Sequence, residues 1–255
     1  MPGVSSRALY ERRRAKPSRT NNSIRRTYDL LRSSLPLLGS DARLVEEELV
    51  DALSASRNTV RAVLQLLAEQ GLVTRGPKVG TLVSGSTVLP VDEVMTFPEF
   101  AEGCPTGTYG QVIESQVITA PPIVRQRLEL PAGAEVLLTD GLVLEGTTPL
   151  AVSVCYLGLV PSEGPLATGQ APDAVALLEE SLHVGLGTGS SVVAAVAADA
   201  QTAGLLGIAD GAPILWCEDL LNDLDGRPRA LSQLRFRGDR VTFTATTHRR
   251  PLELA

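Results

Sequence analysis

Ser56-Arg57-Asn58-Thr59-Val60-Arg61, followed by Ala62 to Gln70 and then Gly71, is the stretch whose reading decides the fold. Ser56 is an N-cap residue ahead of a helical run and Gly71 supplies a C-terminal stop, so the segment reads as one helix. Val60, Val63, Leu64 and Leu67 recur at i, i+3, i+4 and i+7, which puts them on one face that must be buried. Arg57, Asn58, Arg61 and Gln65 are left outside. An exposed first turn bearing Arg and Asn can enter the major groove of DNA, where bidentate Arg reads guanine and Asn reads adenine. The same pattern also describes an ordinary solvated helix face, and the neighbouring sequence decides between the two.

Upstream, the cap-forming run Thr20 to Ser23 precedes Ile24, Tyr28, Leu31 and Leu35, spaced i, i+4, i+7 and i+11. This predicts a first amphipathic helix ending near Pro36 and Gly39. A second helix is expected from about Val45 to Leu53, with Val45, Leu49, Val50 and Leu53 as its apolar positions. Ala55 and Ser56 turn the chain into the third helix, which gives a helix-turn-helix. Downstream, Leu72-Val73-Thr74-Arg75, a Gly/Pro turn over 76–80 and Thr81-Leu82-Val83 predict a hairpin. Three helices and a hairpin in this order make a winged helix, whose hairpin tip can lie along phosphates or in the minor groove.

Charge is divided unevenly. Residues 1–84 hold 14 Lys+Arg against 8 Asp+Glu, whereas the remainder holds 9 against 21. A basic head on an acidic body suits a DNA-binding module joined to a regulatory one. Arg7, Arg12, Arg13, Arg14, Lys16 and Arg19 surround Pro17 in a stretch without apolar periodicity, which reads as a flexible basic arm or equally as a solubilising tail or tag remnant. At 255 residues and 44% hydrophobic content the chain can bury a substantial core. No apolar run approaches the roughly 18 residues of a membrane span, and the N-terminus lacks a signal core, so a soluble cytoplasmic protein is expected. Cys104, Cys155 and Cys217 are widely spaced, and His183 and His248 are isolated. Reduced, packed thiols are expected, with no metal site and no cofactor.

Ser84 to Pro90 has the composition of a linker. Beyond it, strands are predicted over Gln111 to Thr119, Ala134 to Leu144, Leu150 to Leu157, Pro213 to Leu221 and Ala230 to Thr246, the last a long strand or a pair. Turns fall at Thr147-Thr148-Pro149 and Asp223 to Arg227. Pro122 to Leu128 and Ala174 to Leu182 read as short helices, and Val192 to Ala203 fits helix or strand. The class is α+β with an antiparallel sheet. Gly185 to Ser190 neither follows a clear strand nor ends in Lys-Ser/Thr, so it reads as a flexible connection, not a phosphate loop. Arg237, Asp239 and Arg240 suit an ion-pair cluster closing the last hairpin.

Glu46, Leu49, Leu53, the 56–61 run, Leu67, Gly71-Leu72-Val73 and Gly80-Thr81 together resemble the DNA-binding domain of GntR-family bacterial transcription regulators, over about residues 24–83. Glu47 stands where that family usually has arginine, Leu44-Val45 replaces a common proline-containing entry, and Lys78 replaces the first glycine of the wing tip. Thr147 to Tyr156 with Pro149, Ser153 and Tyr156, then Ala203, Leu206, Gly211 to Leu215, Asp225-Gly226-Arg227-Pro228 and Phe236 to Phe243 carry a second resemblance. They look like the UTRA effector-binding domain of the family's HutC branch, similar in fold to chorismate lyase, over about residues 92–248. The organisation so implied is a basic arm (1–22), a winged helix-turn-helix (23–83), a linker (84–91) and an effector-binding and dimerisation domain (92–255).

The resemblance places Arg57, Thr59 and Arg61 at DNA, with Asn58, Arg75, Lys78, Gly80, Thr81, Arg25 and Arg26 as further contact candidates. By position, Tyr156, Ser153, Glu145, Phe236 and Arg235 are candidates to line the effector pocket, although each also fits ordinary packing or a solvated edge. Sugar-phosphate-sensing relatives carry two arginines one residue apart on the strand before the turn. Thr139 to Val143 has neither, so the expected effector is not a sugar phosphate and its pocket is more apolar. The whole predicts a repressor that binds a palindromic operator on double-stranded DNA as a homodimer and is released by a small molecule. An enzyme of chorismate-lyase-like fold with a DNA-binding head is the alternative, although no catalytic constellation is legible.

Overall fold

The computed structural model describes residues 23–39, 41–76, 80–85, 87–93, 108–159 and 174–246. The basic arm, Lys78, Cys104 and His248 lie outside the described residues. The chain divides into two compact units between Ser86 and Thr87.

In the first unit, the helical periodicity becomes α1 (Ile24–Leu38), α2 (Glu46–Ala52) and α3 (Arg57–Glu69). Ser56 caps α3 as its type dictates, its Oγ accepting the Thr59 N–H at 3.1 Å. Gly71, at φ 73°, lets the chain leave the helix, and the Leu72 N–H returns to the Leu67 carbonyl at 2.9 Å. Val60, Val63, Leu64 and Leu67 are fully buried against Leu31 and Leu35 of α1 and Leu72, Val73 and Val83 of the hairpin. That hairpin is β2 (Val73–Gly76) with β3 (Gly80–Val83), and β1 (Arg43–Leu44) adds a third strand in the order β1-β3-β2. Strand β1 is two residues long, too short for any period to announce it. Val45, expected as the first apolar position of that helix, is instead the exposed N-cap residue of α2.

The second unit opens with a correction. Thr87 to Pro90, expected as linker, forms β4 and pairs in parallel with β11 (Val241–Thr244). Between them in sequence lie β5 (Thr108–Thr119), α4 (Pro122–Arg127), β6 (Glu135–Glu145), β7 (Thr148–Gly158), α5 (Ala174–Ala176) continuing as a π-helical turn (Leu177–Ser181), β8 (Ser190–Ala197), α6 (Ala200–Leu206), β9 (Pro213–Asn222) and β10 (Pro228–Arg237). The six strands β5 to β10 form one antiparallel sheet in the order β5-β6-β7-β10-β9-β8. Val192 to Ala203 proves to be both strand and helix. Strand β8 ends at Ala197, and the Asp199 carboxylate caps α6 by accepting the Thr202 N–H at 2.9 Å, which holds that carboxyl below its ordinary range. The β6–β7 reversal falls on Gly146, at φ 58°, and Thr147, so Pro149 stands inside β7 next to a bulge.

Gly185 to Ser190 is not a loose connection. Leu186 bridges to Asp223, the Gly187 N–H donates to the Asn222 carbonyl at 2.8 Å, and a Cβ on Gly187 would stand 2.6 Å from the Asp223 carbonyl oxygen. Side-chain alternation gives the sheet two buried faces. On one, Leu137, Cys155 and Leu157 pack with Leu177 and Leu178 at one end, and Val143, Leu234 and Phe236 pack with Val241 and Phe243 at the other. On the opposite face, Val124 and Leu128 cover Val136 and Leu231, while Ala203 and Leu206 cover Val152 and Ile214.

Candidate nucleic-acid interface and effector face

The first two turns of α3 present Arg57, Asn58 and Arg61 to solvent, as the spacing requires. Both arginines are held by acids of α2. Arg57 Nη2 lies 3.0 Å from Glu47 Oε1, and Arg61 Nε lies 2.7 Å from Glu46 Oε2. The second oxygen of Glu46 takes Arg75 of β2 at 3.3 Å. One carboxylate thus ties a helix arginine to a hairpin arginine. Beside it a cleft of about 470 Å³ is lined by Arg43, Glu46, Arg75, Gly80 and Thr81. Arg43 was missing from the sequence-based candidates, since a lone arginine in a two-residue strand carries no signal. Its Nε sits 3.4 Å from where a Cβ on Gly80 would be, and Gly80 has φ 88°, so the backbone there requires glycine.

Two candidate contacts are corrected. Thr59 is buried, with its Oγ1 2.8 Å from Ser56 Oγ, and it belongs to the cap. Thr81 is buried in the central strand of the small sheet, opposite Leu44 and Arg75, on the wall of the cleft. The capping turn holds the Thr59 hydroxyl, and strand parity leaves Thr81 with little exposed surface. Arg25 and Arg26 are exposed on the first turn of α1.

The five effector candidates do not come together. Ser153 and Phe236 belong to the face carrying Cys155 and Leu234, whereas Tyr156 and Arg235 belong to the other. Phe236 is fully buried and meets Phe243 edge-on at 5.2 Å, so it is core. Tyr156 packs with Val136 and Leu231 near α4. Arg235 lies opposite Val152 and Trp216. Glu145 is exposed at the end of β6, where its carboxylate accepts from Thr87 Oγ1 at 3.2 Å. Residues 153 and 156, like 235 and 236, differ by an odd number, and a period of two sends them to opposite sides.

What the register does bring together is a row of short polar side chains. Thr139 pairs with Cys155, Cys155 with Ser232, Ser232 with Asp219 and Asp219 with Ser191. Thr139, Cys155 and Asp219 are buried and Ser232 is half-buried. The row crosses the sheet between the two apolar clusters of that face. Asp219 is 8% exposed, and Cys217 Sγ approaches one of its oxygens to 3.5 Å. Burial pushes the Asp219 carboxyl above its ordinary value, and burial together with Asp219 pushes the Cys217 thiol up to about 12. The adjacent Glu218 faces the other way, 2.8 Å from Arg127 and accepting from Gln233 at 2.9 Å. One Asp within Ile-Leu-Trp-Cys-Glu-Asp-Leu-Leu was the signal available in the sequence. The expected cluster at the last hairpin is present as the Arg237–Asp239 pair, with two bonds of 3.0 and 2.8 Å.

Residues 24–83 match the model of the bacterial regulatory proteins of the gntR family, and residues 108–242 match that of the UTRA domain. The chain belongs to the GntR family. This GntR-family regulator is 30% identical over 213 residues to the HTH-type transcriptional regulator Rv0792c of Mycobacterium tuberculosis, a match covering 80% of this chain and 77% of that protein. Its fold is similar to that of PhnF from Mycobacterium smegmatis, with a TM-score of 0.60 and 21% identity over 88% of this chain and all of the other. YydK from Bacillus subtilis gives a TM-score of 0.54 at 15% identity, over 88% and 99% of the two chains. The family relationship puts the protein among DNA-binding transcriptional regulators with a UTRA effector domain, not among enzymes. Among the described residues, no helix of this regulator is long and apolar enough to cross a membrane.

Proposed function

We propose that this regulator is a repressor that binds a palindromic operator as a homodimer and is released by a small-molecule effector that is not a sugar phosphate. The observation that carries the DNA half is the capped start of α3, where Arg57, Asn58 and Arg61 stand exposed over a core that fixes the helix. Arg57 and Asn58 reach base edges, and Arg61, Arg75, Arg43, Arg25 and Arg26 neutralise phosphates. A palindrome presents two half-sites, so two heads related by a twofold axis are required. The absence of a phosphosugar fits the row on the sheet, where Thr139, Gly141 and Val143 bring no arginine to the face that Ser153 and Asp219 share. Release follows if the effector prefers the conformation that fits the operator poorly.

The test is to recover the DNA bound by the full-length chain, define its operator by footprinting, and titrate that operator with and without candidate small molecules. A symmetric footprint with two protomers per site and an affinity that falls with one compound is expected. A single-protomer footprint, or an affinity that no compound alters, counts against the reading.

A further inference from the structure

We propose that Asp219 anchors a cationic group, an ammonium or a guanidinium, on the small molecule that the body binds. This deepens the reading of the body as an effector domain and rests on it.

Asp219 is a buried carboxylate with no basic partner among the described residues. Its hydrogen-bond partners are neutral, the Cys217 thiol and the side chain of Ser191, and its other cross-strand neighbour is Ser232. Several arginines of this unit are engaged elsewhere: Arg127 with Glu218, Arg229 with Asp223 and Arg237 with Asp239, while Arg235 belongs to the opposite face. Of the segments of this unit outside the described residues, 94–107 and 160–173 contain no Lys or Arg in sequence, and 247–255 contains Arg249 and Arg250. A buried, unpaired carboxylate is costly, and an apolar residue of similar size would avoid that cost. Asparagine would satisfy the same neutral neighbours without the charge. A cationic ligand turns the cost into a site.

The surroundings give the ligand a shape. Ser232, Cys155 and Thr139 continue the row away from Asp219 at one strand spacing each, about 4.8 Å. A molecule whose cation meets Asp219 therefore finds hydroxyl partners about 5 to 15 Å away along one line. The apolar clusters containing Leu157 and Leu221 on one side and Leu234 and Phe236 on the other would flank its carbon skeleton. Small aliphatic amines with a second polar group match this arrangement.

The test uses the full-length chain and follows the single Trp, Trp216 of β9, through thermal unfolding. Putrescine, agmatine and ethanolamine are compared with the neutral 1,4-butanediol and the anionic succinate. At least one amine is expected to raise the midpoint by more than about 2 °C, as a ligand bound only by the native state does, and the diol and diacid are not. Asp219→Asn should abolish the shift, and Ser232→Ala should reduce it. Asparagine is close to isosteric and neutral, so the variant should fold. If it does not, calorimetric titration of the wild type with the same amine must show affinity falling as the pH is lowered through the titration of Asp219. No shift with any amine, or an equal shift in Asp219→Asn, overturns the proposal. Operator binding is measured in parallel. Release by an uncharged or anionic compound, unaltered in Asp219→Asn, leaves the repressor reading standing and removes this one. Amine binding that needs Asp219 but leaves operator affinity unchanged does the reverse.

Discussion

At the scale of single residues, the proposed DNA contact turns on the pair formed by Arg57 and Glu47. Both side chains are largely exposed, so their 3.0 Å contact contributes no more than about 1 kcal/mol to stability. On DNA the balance differs under the proposed reading, because Glu47 stands next to a side chain assigned there to bases or phosphates. Arg57→Ala should cost about 1 to 3 kcal/mol of operator affinity and relax preference at one base position, as measured by competition with operator variants. Glu47→Gln should instead tighten operator binding by about two- to fivefold and leave the melting temperature unchanged. A loss of affinity in Glu47→Gln would mean that the glutamate positions Arg57 instead of competing for it. Asp219 gives a prediction of the opposite electrostatic sign. Its carboxyl titrates above its ordinary value in the folded state, so it costs nothing while neutral at acid pH, and stability is lost as pH rises through the folded value. Asp199, Asp223 and Asp239 are lowered and lose stability as pH falls, so the whole-protein profile mixes both signs. The difference between wild type and Asp219→Asn isolates one group. In the absence of ligand, the variant should be the more stable at pH 7 and the gap should close toward pH 4.

Elements differ in how far the sequence announces them, and the reason is the range of the interactions that form them. Helix α3 is local: its cap, its apolar stripe and its glycine stop lie within sixteen residues, 56–71, and all three are where the sequence puts them. Ser56→Ala should remove about 1 kcal/mol by freeing the Thr59 N–H, detected as faster hydrogen exchange at the start of α3 in the intact chain. Strands β1 and β4 are not local, since their partners β3 and β11 lie far along the chain, and nothing within two or four residues predicts the pairing. Candidate side chains were legible as residue types but not as directions. Thr59 and Thr81 have the right chemistry for DNA, yet a cap and a strand parity turn them inward. The same parity divides the effector candidates between the two faces, as odd spacings in the sequence already imply, whereas the register that lines up Asp219, Ser232 and Thr139 needs the whole sheet. Gly187 marks a tight junction between elements. A methyl group there meets the Asp223 carbonyl oxygen at 2.6 Å, so Gly187→Ala must displace the connector from the β9–β10 hairpin. The expected cost is about 1 to 3 kcal/mol, read from urea unfolding of Trp216 fluorescence.

Over the whole molecule, the two compact units make sense as one regulator only if binding at one alters affinity at the other. Linkage makes this quantitative. An effector that weakens operator binding tenfold contributes about 1.4 kcal/mol of coupling, and the operator must weaken effector binding by the same factor. The reciprocal measurement uses one protein preparation: titrate the effector into free protein, then into protein saturated with operator. Equal factors from the two directions are expected, independent of any detail of the pathway between the units. Salt offers a second axis. Operator affinity should fall steeply with salt because phosphates and arginines release counterions, while an amine held at buried Asp219 should respond far less. The coupling factor, a ratio of affinities under one condition, should therefore change much less between 50 and 200 mM salt than operator affinity itself. A coupling that vanished along with the salt-sensitive contacts would show that the effector acts by screening charge at the head, and the body would lose its role as the sensor.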